Sequence, residues 1–103
     1  MQMKAYSTDG NLIVSLEGEI DHHCASELRE GLDKLIAENK PKNLVLELAD
    51  IDFMDSSGLG LVLGRYRRLN DIGSKMYIKN PGPRTEKILC MAGVDKLIKI
   101  IKS

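Results

Sequence analysis

The sequence is poor in aromatic side chains, with one Phe, three Tyr and no Trp among its 103 residues. Proteins that bind nucleic acid commonly stack bases on aromatic rings and attract phosphates through an excess of Lys and Arg. That excess is also missing, because fifteen basic side chains balance fifteen acidic ones. We therefore expect no direct contact with nucleic acid.

Long apolar runs are absent as well, since nothing reaches the roughly 18 consecutive apolar residues that span a bilayer. No apolar leader precedes the first predicted strand. The two cysteines, Cys24 and Cys90, are far apart and fall on apolar positions of predicted helices, which indicates buried thiols rather than a disulfide framework. We expect a single cytoplasmic domain over residues 1–103 that does not contact a membrane.

The chain is organised around the stretch from residue 43 to residue 69. Residues 43–49 are almost continuously apolar and predict a strand buried on most of both faces. After a short loop, apolar side chains recur at helical spacing, namely Leu59, Val62, Leu63, Tyr66 and Leu69. Asp55 or Ser56 is the predicted N-cap. A hydroxyl is thus expected beside free amides at the positive end of a helix, which suits an anion.

The flanking segments predict further strands and helices. An Asp9-Gly10 turn separates strands at residues 3–7 and 12–17, and Asp21 is the predicted N-cap of a helix that runs to residue 38. The segments after the central helix predict a strand at 75–79, a helix at 84–92 ended by Gly93, and either an edge strand or a helical tail at 94–102, of which we favour the strand.

This order of elements predicts a single α/β domain, with a mixed sheet of four or five strands and helices packed mainly on one side. A strand, a helix and a strand usually form a right-handed crossover, so the strands at 12–17 and 43–49 should be parallel. Their C-terminal ends then share one edge of the sheet. We expect Asp21 and Ser56 to lie on that edge and form one surface.

Three chemical alternatives start from the same residues. A metal site at His22-His23-Cys24 is not expected, because adjacent side chains diverge and no second pair stands at ligand spacing. A serine hydrolase would use Ser56 with a histidine, but the elbow glycine is replaced by Met54, which leaves an enzyme as the second choice. Nucleotide binding is the third, because Arg65 stands where a phosphate loop needs Lys.

Helical glycines and arginines leave two further questions. Glycines in a helix each cost roughly 0.5–1 kcal/mol relative to Ala, so Gly58, Gly60 and Gly64 indicate either close packing on the sheet or the close approach of a partner or nucleotide. The basic cluster late in the helix is predicted to be solvated; it contains Arg65, Arg67 and Arg68.

The central motif resembles a known family signature. Residues 52–60, Asp-Phe-Met-Asp-Ser-Ser-Gly-Leu-Gly, are followed by Leu-Gly-Arg-Tyr at 63–66, and together they resemble the anti-sigma factor antagonists built on the STAS domain. The upstream Gly-Glu-Ile-Asp-His-His at 18–23 narrows the resemblance to the sporulation branch, the antagonists of the anti-sigma-F factor. A general stress-response antagonist remains the alternative within the family.

The resemblance implies a regulator that switches partners. Its unphosphorylated form would bind an anti-sigma factor and release the sporulation sigma factor. In this family the anti-sigma factor is also a serine kinase, and the ATP and magnesium belong to that partner. Ser56 would accept the phosphate, which a serine phosphatase would later remove.

The resemblance also assigns the partner-binding surface. Asp21 falls on the family position that engages the anti-sigma factor. The other implied contact residues are Asp55, Ser56, Ser57, Gly58, Leu59 and Gly60. The chain itself would be substrate and ligand, with no catalytic residue, cofactor or metal of its own.

Overall fold

The computed structural model describes residues 2–103, and in it strands and helices alternate along the chain. The strands are β1 Gln2–Thr8, β2 Asn11–Ile20, β3 Asn43–Met54, β4 Lys75–Lys79 and β5 Lys99–Ile101. The helices are α1 Ala25–Asn39, α2 Ser56–Asp71 and α3 Pro83–Met91, and a 3₁₀ turn at Val94–Lys96 leads into β5. The predicted α/β class is confirmed.

The five strands form one mixed sheet in the order β1-β2-β3-β4-β5. β1 and β2 are antiparallel and are joined by a tight turn, in which Asp9 and Gly10 have φ values of 51° and 84°. β2, β3, β4 and β5 are parallel to one another. Because every crossover adds its strand on the same side, right-handed connections place all three helices on one face.

The core lies between that face and the helices. Leu12, Leu44 and Met76 occupy neighbouring positions on three strands, and all three side chains are buried. On the opposite face, Ile13 and Val45 are neighbours that remain half-buried. The predicted burial of residues 43–49 on most of both faces is therefore wrong, because the three helices of residues 2–103 all pack on the first face.

β3 is longer than its sequence predicted, and it ends at Met54 rather than near residue 49. Its twelve residues lie beside ten residues of β2, because the register shifts at two bulges, between Ser15 and Glu17 and between Gly18 and Glu19 of β2. Bulges break the alternation of inward and outward side chains. The polar residues of this segment therefore resembled a loop in the sequence.

α1 begins at Ala25, later than the predicted start at residue 22. Asp21 caps the turn before the helix instead, since its Oδ1 accepts hydrogen bonds from the N–H groups of His23 at 3.0 Å and Cys24 at 3.3 Å. The helix ends at Asn39, where Lys40 adopts a φ of 45° ahead of Pro41.

The C-terminal part of the chain agrees in part with its sequence. Gly93 follows α3 with a φ of 78°, as its position after the helix predicted. Only the last residues of the segment 94–102 form a strand, because Val94–Lys96 is helical. The strand favoured over the whole segment is thus confirmed only for β5.

Two predictions about side-chain burial need correction. Cys90 is exposed rather than buried; partial desolvation and the carboxylates of Asp95 and Glu86 raise its pKa. Arg65 is only 7% exposed, because its Nε lies 2.9 Å from Asp33 Oδ1 of the adjacent α1. The predicted solvation of Arg65 is therefore wrong. The contact was not predictable, because Asp33 is far from Arg65 in the sequence.

Candidate functional site

The C-terminal ends of β2 and β3 form one edge of the molecule. Ile20 pairs with Met54, and the next amide, Asp55 N–H, donates to the Ile20 carbonyl at 3.2 Å. The pairing of β3 with β4 stops at Glu47 and Lys79, so the end of β3 continues beside β2 alone. We call residues 19–23 and 53–60 the rim. The predicted shared edge of Asp21 and Ser56 is therefore present.

The start of α2 is fixed by Asp55. Its Oδ1 accepts hydrogen bonds from the N–H groups of Ser57 at 2.8 Å and Gly58 at 3.3 Å, and its carbonyl accepts the first helical bond from Leu59. Asp55 is thus the N-cap, in agreement with the sequence. Ser56 becomes the first residue of the helix.

The Ser56 side chain is exposed. Within residues 2–103 its hydroxyl makes no hydrogen bond, neither to His22 nor to His23. A hydroxyl without a base or an orienting group is poorly suited to nucleophilic catalysis. It is, however, accessible to the active site of another protein.

Ser57 differs from Ser56 in its surroundings. It is half-buried and lines a groove between α1 and α2, beside Ala25 and Arg29. Of the two serines, Ser56 is therefore the more accessible to a modifying enzyme.

The glycines of α2 divide into two groups. A Cβ on Gly58 would lie 2.5 Å from Met54 Cγ and 3.0 Å from the Ile20 carbonyl oxygen, so this glycine allows the helix to pack on the strand ends. A Cβ on Gly60 or Gly64 would meet nothing within 4 Å. Packing therefore explains Gly58, the buried glycine of the rim, but leaves Gly60 and Gly64 unexplained.

The remaining predicted contact residues surround Ser56 at different depths. Leu59 is half-buried against the core, whereas Gly60 is exposed. Asp21 is half-buried; desolvation raises its pKa, but the hydrogen bonds from His23 and Cys24 outweigh that effect, so its pKa lies below 3.8. Asp21 therefore stays ionised at neutral pH and gives this end of the rim a negative charge.

Phe53 is a rim residue that the sequence did not single out. It pairs with Glu19 at the second bulge, and its side chain is 40% exposed. His22 and His23 are also exposed, and the centroids of their rings lie 4.0 Å apart. Exposed aromatic side chains are typical of protein interfaces. Phe53 was missed because the sequence predicted that the strand ends near residue 49, so alternation gave no direction for its side chain.

Residues 2–103 contain no group of three or more His, Cys, Asp or Glu side chains placed to hold a metal. None of the helices there is both long enough and apolar enough to cross a bilayer. The rim thus combines an accessible hydroxyl, acidic side chains and an exposed aromatic ring, which is a set suited to binding protein.

Comparison with known families agrees with this geometry. Residues 2–103 match the model of the STAS domain. The chain belongs to the STAS domain family. Its resemblance to that family, which rested on the motifs at 18–23 and 52–66, is confirmed.

Relatives of this STAS domain are named as regulators. It is 38% identical over 100 residues to the anti-sigma F factor antagonist of Paenibacillus polymyxa, covering 97% of this chain and 86% of that protein. Unphosphorylated SpoIIAA, an anti-sigma factor antagonist, superposes with a TM-score of 0.85 at 27% identity, over 99% of this chain and 88% of that one. The phosphorylated form of the Bacillus cell fate determinant SpoIIAA gives a TM-score of 0.78, also at 27% identity, with 99% and 91% covered.

Proposed function

We propose that this STAS domain is an anti-sigma factor antagonist that is switched by phosphorylation of Ser56. The observation that carries the proposal is the exposed Ser56 hydroxyl at the first position of α2, held there by the Asp55 cap. The relative from Paenibacillus polymyxa supports the anti-sigma-F factor as the partner. Release of a sporulation sigma factor would follow from binding.

The unphosphorylated rim binds the anti-sigma factor. Phe53 supplies an apolar contact, Gly60 lets the partner approach the helix backbone, and Asp21 supplies a negative charge. The two halves of the rim come from separate strands, so the partner contacts both motifs at once. When the anti-sigma factor binds this surface, it releases the sigma factor.

Phosphate on Ser56 ends this binding. It adds about −1.5 to −2 charge close to Asp55, although the positive end of the helix dipole favours an anion. These opposing effects leave the fold of the domain largely unchanged. At the interface they do not cancel, because a partner that fits a small hydroxyl meets a bulky, hydrated anion. Dissociation then follows from repulsion and desolvation.

The enzymes of the cycle are partners of this domain. The anti-sigma factor is the serine kinase and holds the ATP and magnesium, and a serine phosphatase restores the hydroxyl. The domain is substrate and ligand rather than catalyst, because Ser56 has no base within hydrogen-bond reach in the described residues. It holds no cofactor of its own.

Phosphate mapping tests the acceptor. The purified domain is mixed with the anti-sigma-F factor of Paenibacillus polymyxa, ATP and magnesium, and the phosphate is located by mass spectrometry. We expect phosphate on Ser56, none on the Ser56→Ala variant, and full incorporation into Ser57→Ala. Phosphate on Ser57 alone would contradict the assignment.

Charge at position 56 tests the switch. Ser56→Ala should bind the anti-sigma-F factor like the unmodified protein, whereas Ser56→Asp should lose most binding in isothermal titration calorimetry. Circular dichroism spectra of both variants should match that of the parent. Equal affinity of the two variants would remove the electrostatic explanation.

Asp21→Ala tests whether the rim acts as one surface. We expect weaker binding of the anti-sigma-F factor, because the substitution removes a charge from the half of the rim that lies opposite Ser56. A melting curve must accompany the titration, since Asp21 also caps the turn before α1. Unchanged affinity in a folded variant would show that residues 19–23 lie outside the interface. Stronger binding to an anti-sigma-B factor in the same assay would instead favour a stress-response role.

A further inference from the structure

A groove of about 370 Å³ runs between α1 and α2 and begins beside the rim. Ser57 lies at its rim end, next to the proposed phosphate acceptor. The groove is lined by Ala25, Arg29, Ser57, Gly60, Leu61, Gly64 and Arg65. A protein that covers Ser56 therefore reaches this groove without a change in the fold.

The floor of the groove contains the two glycines that packing leaves unexplained. Gly60 and Gly64 are one helical turn apart on α2, so they lie on the same face. A Cβ at either position would extend into open space. Glycine within a helix reduces stability relative to alanine. Contacts among residues 2–103 do not offset this loss, which points to contacts with another molecule.

The groove also carries more positive than negative charge. Arg65 is 7% exposed and lies on the groove wall, and its Nη1 is buried without a hydrogen-bond partner among residues 2–103. Burial lowers the pKa of Arg65, the Asp33 carboxylate raises it, and the charges of Arg29 and Arg68 lower it further. Asp33 is shared, since its Oδ1 also lies 3.8 Å from Arg68 Nε.

We propose that this groove receives an acidic side chain of the anti-sigma factor, with Arg29 as its hydrogen-bond donor and Gly60 and Gly64 giving it access. Arg29 is exposed and lines the groove, so a carboxylate of the partner can reach it, whereas Arg65 is buried and adds positive charge to the groove wall. The inference rests on the proposed function and extends the interface from the rim along α2. It assigns the partner a carboxylate that complements the groove.

Substitution of Arg29 tests the charge. In titrations with the anti-sigma-F factor of Paenibacillus polymyxa, Arg29→Ala should weaken binding roughly fivefold and reduce its dependence on salt, because a charge pair at the edge of an interface is lost. Arg29→Lys keeps the charge and should retain most of the affinity. Arg67→Ala removes an exposed arginine of α2 outside the groove and serves as the matched control.

Substitution of Gly64 tests whether the partner's side chain enters the groove. Gly64→Ala should raise the melting temperature by about 2–8 °C, because it lowers the entropy of the unfolded chain without a clash. The same variant should bind at least about tenfold more weakly, since a methyl group occupies the space of the incoming side chain. A rise in stability combined with a loss of binding cannot result from misfolding.

The outcomes separate this inference from the proposed function. Wild-type affinity in both Arg29→Ala and Gly64→Ala, with binding still abolished by Ser56→Asp, would overturn the groove and leave the switch intact. Equal weakening by Arg67→Ala would replace the groove with a diffuse charge effect and also overturn it. Failure of the unmodified domain to bind the anti-sigma factor would overturn both.

Discussion

At the scale of single residues, Asp55 fixes where α2 begins, because one of its carboxylate oxygens accepts hydrogen bonds from two backbone amides. Asp55→Ala should lower the free energy of unfolding by about 0.5–2 kcal/mol, as expected for a lost N-cap. Urea unfolding followed by circular dichroism gives the value. Ser56→Ala is the neighbouring control and should stay within about 0.5 kcal/mol of the parent; equal losses in both variants would deny the cap its role.

Gly58 and Gly60 allow a matched comparison within one turn of α2. Gly58→Ala places a methyl group against Met54 and the Ile20 carbonyl, and should lower the free energy of unfolding by about 1–3 kcal/mol. Gly60→Ala meets nothing and should raise it by about 0.4–1 kcal/mol. Urea unfolding of the pair measures both effects. If Gly58→Ala were as stable as Gly60→Ala, the close approach of helix and strand ends would be disproved.

Asp21 makes stability depend on pH. Its pKa in the folded protein lies below the ordinary value of 3.8, so its ionised form stabilises the fold. That contribution is complete above pH 3.8 and is lost as the pH falls through the lower folded pKa. We expect the Asp21→Asn variant to lose less stability than the parent between pH 5 and pH 3, as measured by urea unfolding. Parallel curves would show that Asp21 has no shifted pKa.

Residue roles that depend on near neighbours were predictable from the sequence. The Asp55 cap and the position of Ser56 follow from the local pattern. The ion pair of Arg65 did not, because its partner Asp33 lies on another helix and only the packing of α1 on α2 brings them together. The difference between Gly58, which allows close packing, and Gly60, which does not serve packing, was also not predictable. The atoms that crowd Gly58 include those of Ile20, which is distant in the sequence.

At the scale of elements, the Arg65–Asp33 pair links α1 to α2. Among residues 2–103, removal of Arg65 leaves Asp33 with only the more distant Arg68, so Arg65→Ala should lower the free energy of unfolding by about 1–3 kcal/mol. Chemical denaturation measures the loss, and Arg67→Ala, on an exposed position of the same helix, is the control. Similar small effects from both arginines would mean that the pair contributes nothing to helix packing.

The bounds of the strands and helices were predicted well where turn residues or a regular apolar alternation define them. The turn at Asp9 and Gly10 and the strand Lys75–Lys79 agree with the sequence. β3 was predicted too short, because its bulges insert extra residues and bring Asp50 and Asp52 onto a segment that no longer alternates. A bulge depends on the register with β2, which a single sequence does not encode locally.

For the molecule as a whole, phosphorylation should leave the fold in place. In amide NMR spectra of the phosphorylated and unmodified domains, we expect shifted peaks in residues 18–24 and 53–61 and unchanged peaks in the core strands. The reason is that Ser56 is exposed and stands outside the packed core. Shifts spread through β4 and α3 would show a change of fold and contradict the local switch.

The overall topology was the most predictable property, because the right-handed crossover leaves few choices once the order of strands and helices is known. That rule alone brought Asp21 and Ser56 to one edge. The uncovered second face of the sheet was missed, since an apolar run such as residues 43–49 fits burial on one face or on two.

Because β2 and β3 extend beyond their neighbouring strands, the exposed residues of the rim lie apart from the packed core and are under different constraints. Core positions such as Leu32 and Leu46 are constrained by packing, whereas exposed rim positions such as Phe53 and Ser56 contribute little to it. After gene duplication, mutations at the rim can therefore accumulate in one copy without unfolding it. The same scaffold can therefore carry a different rim, and with it a different partner surface, without loss of stability.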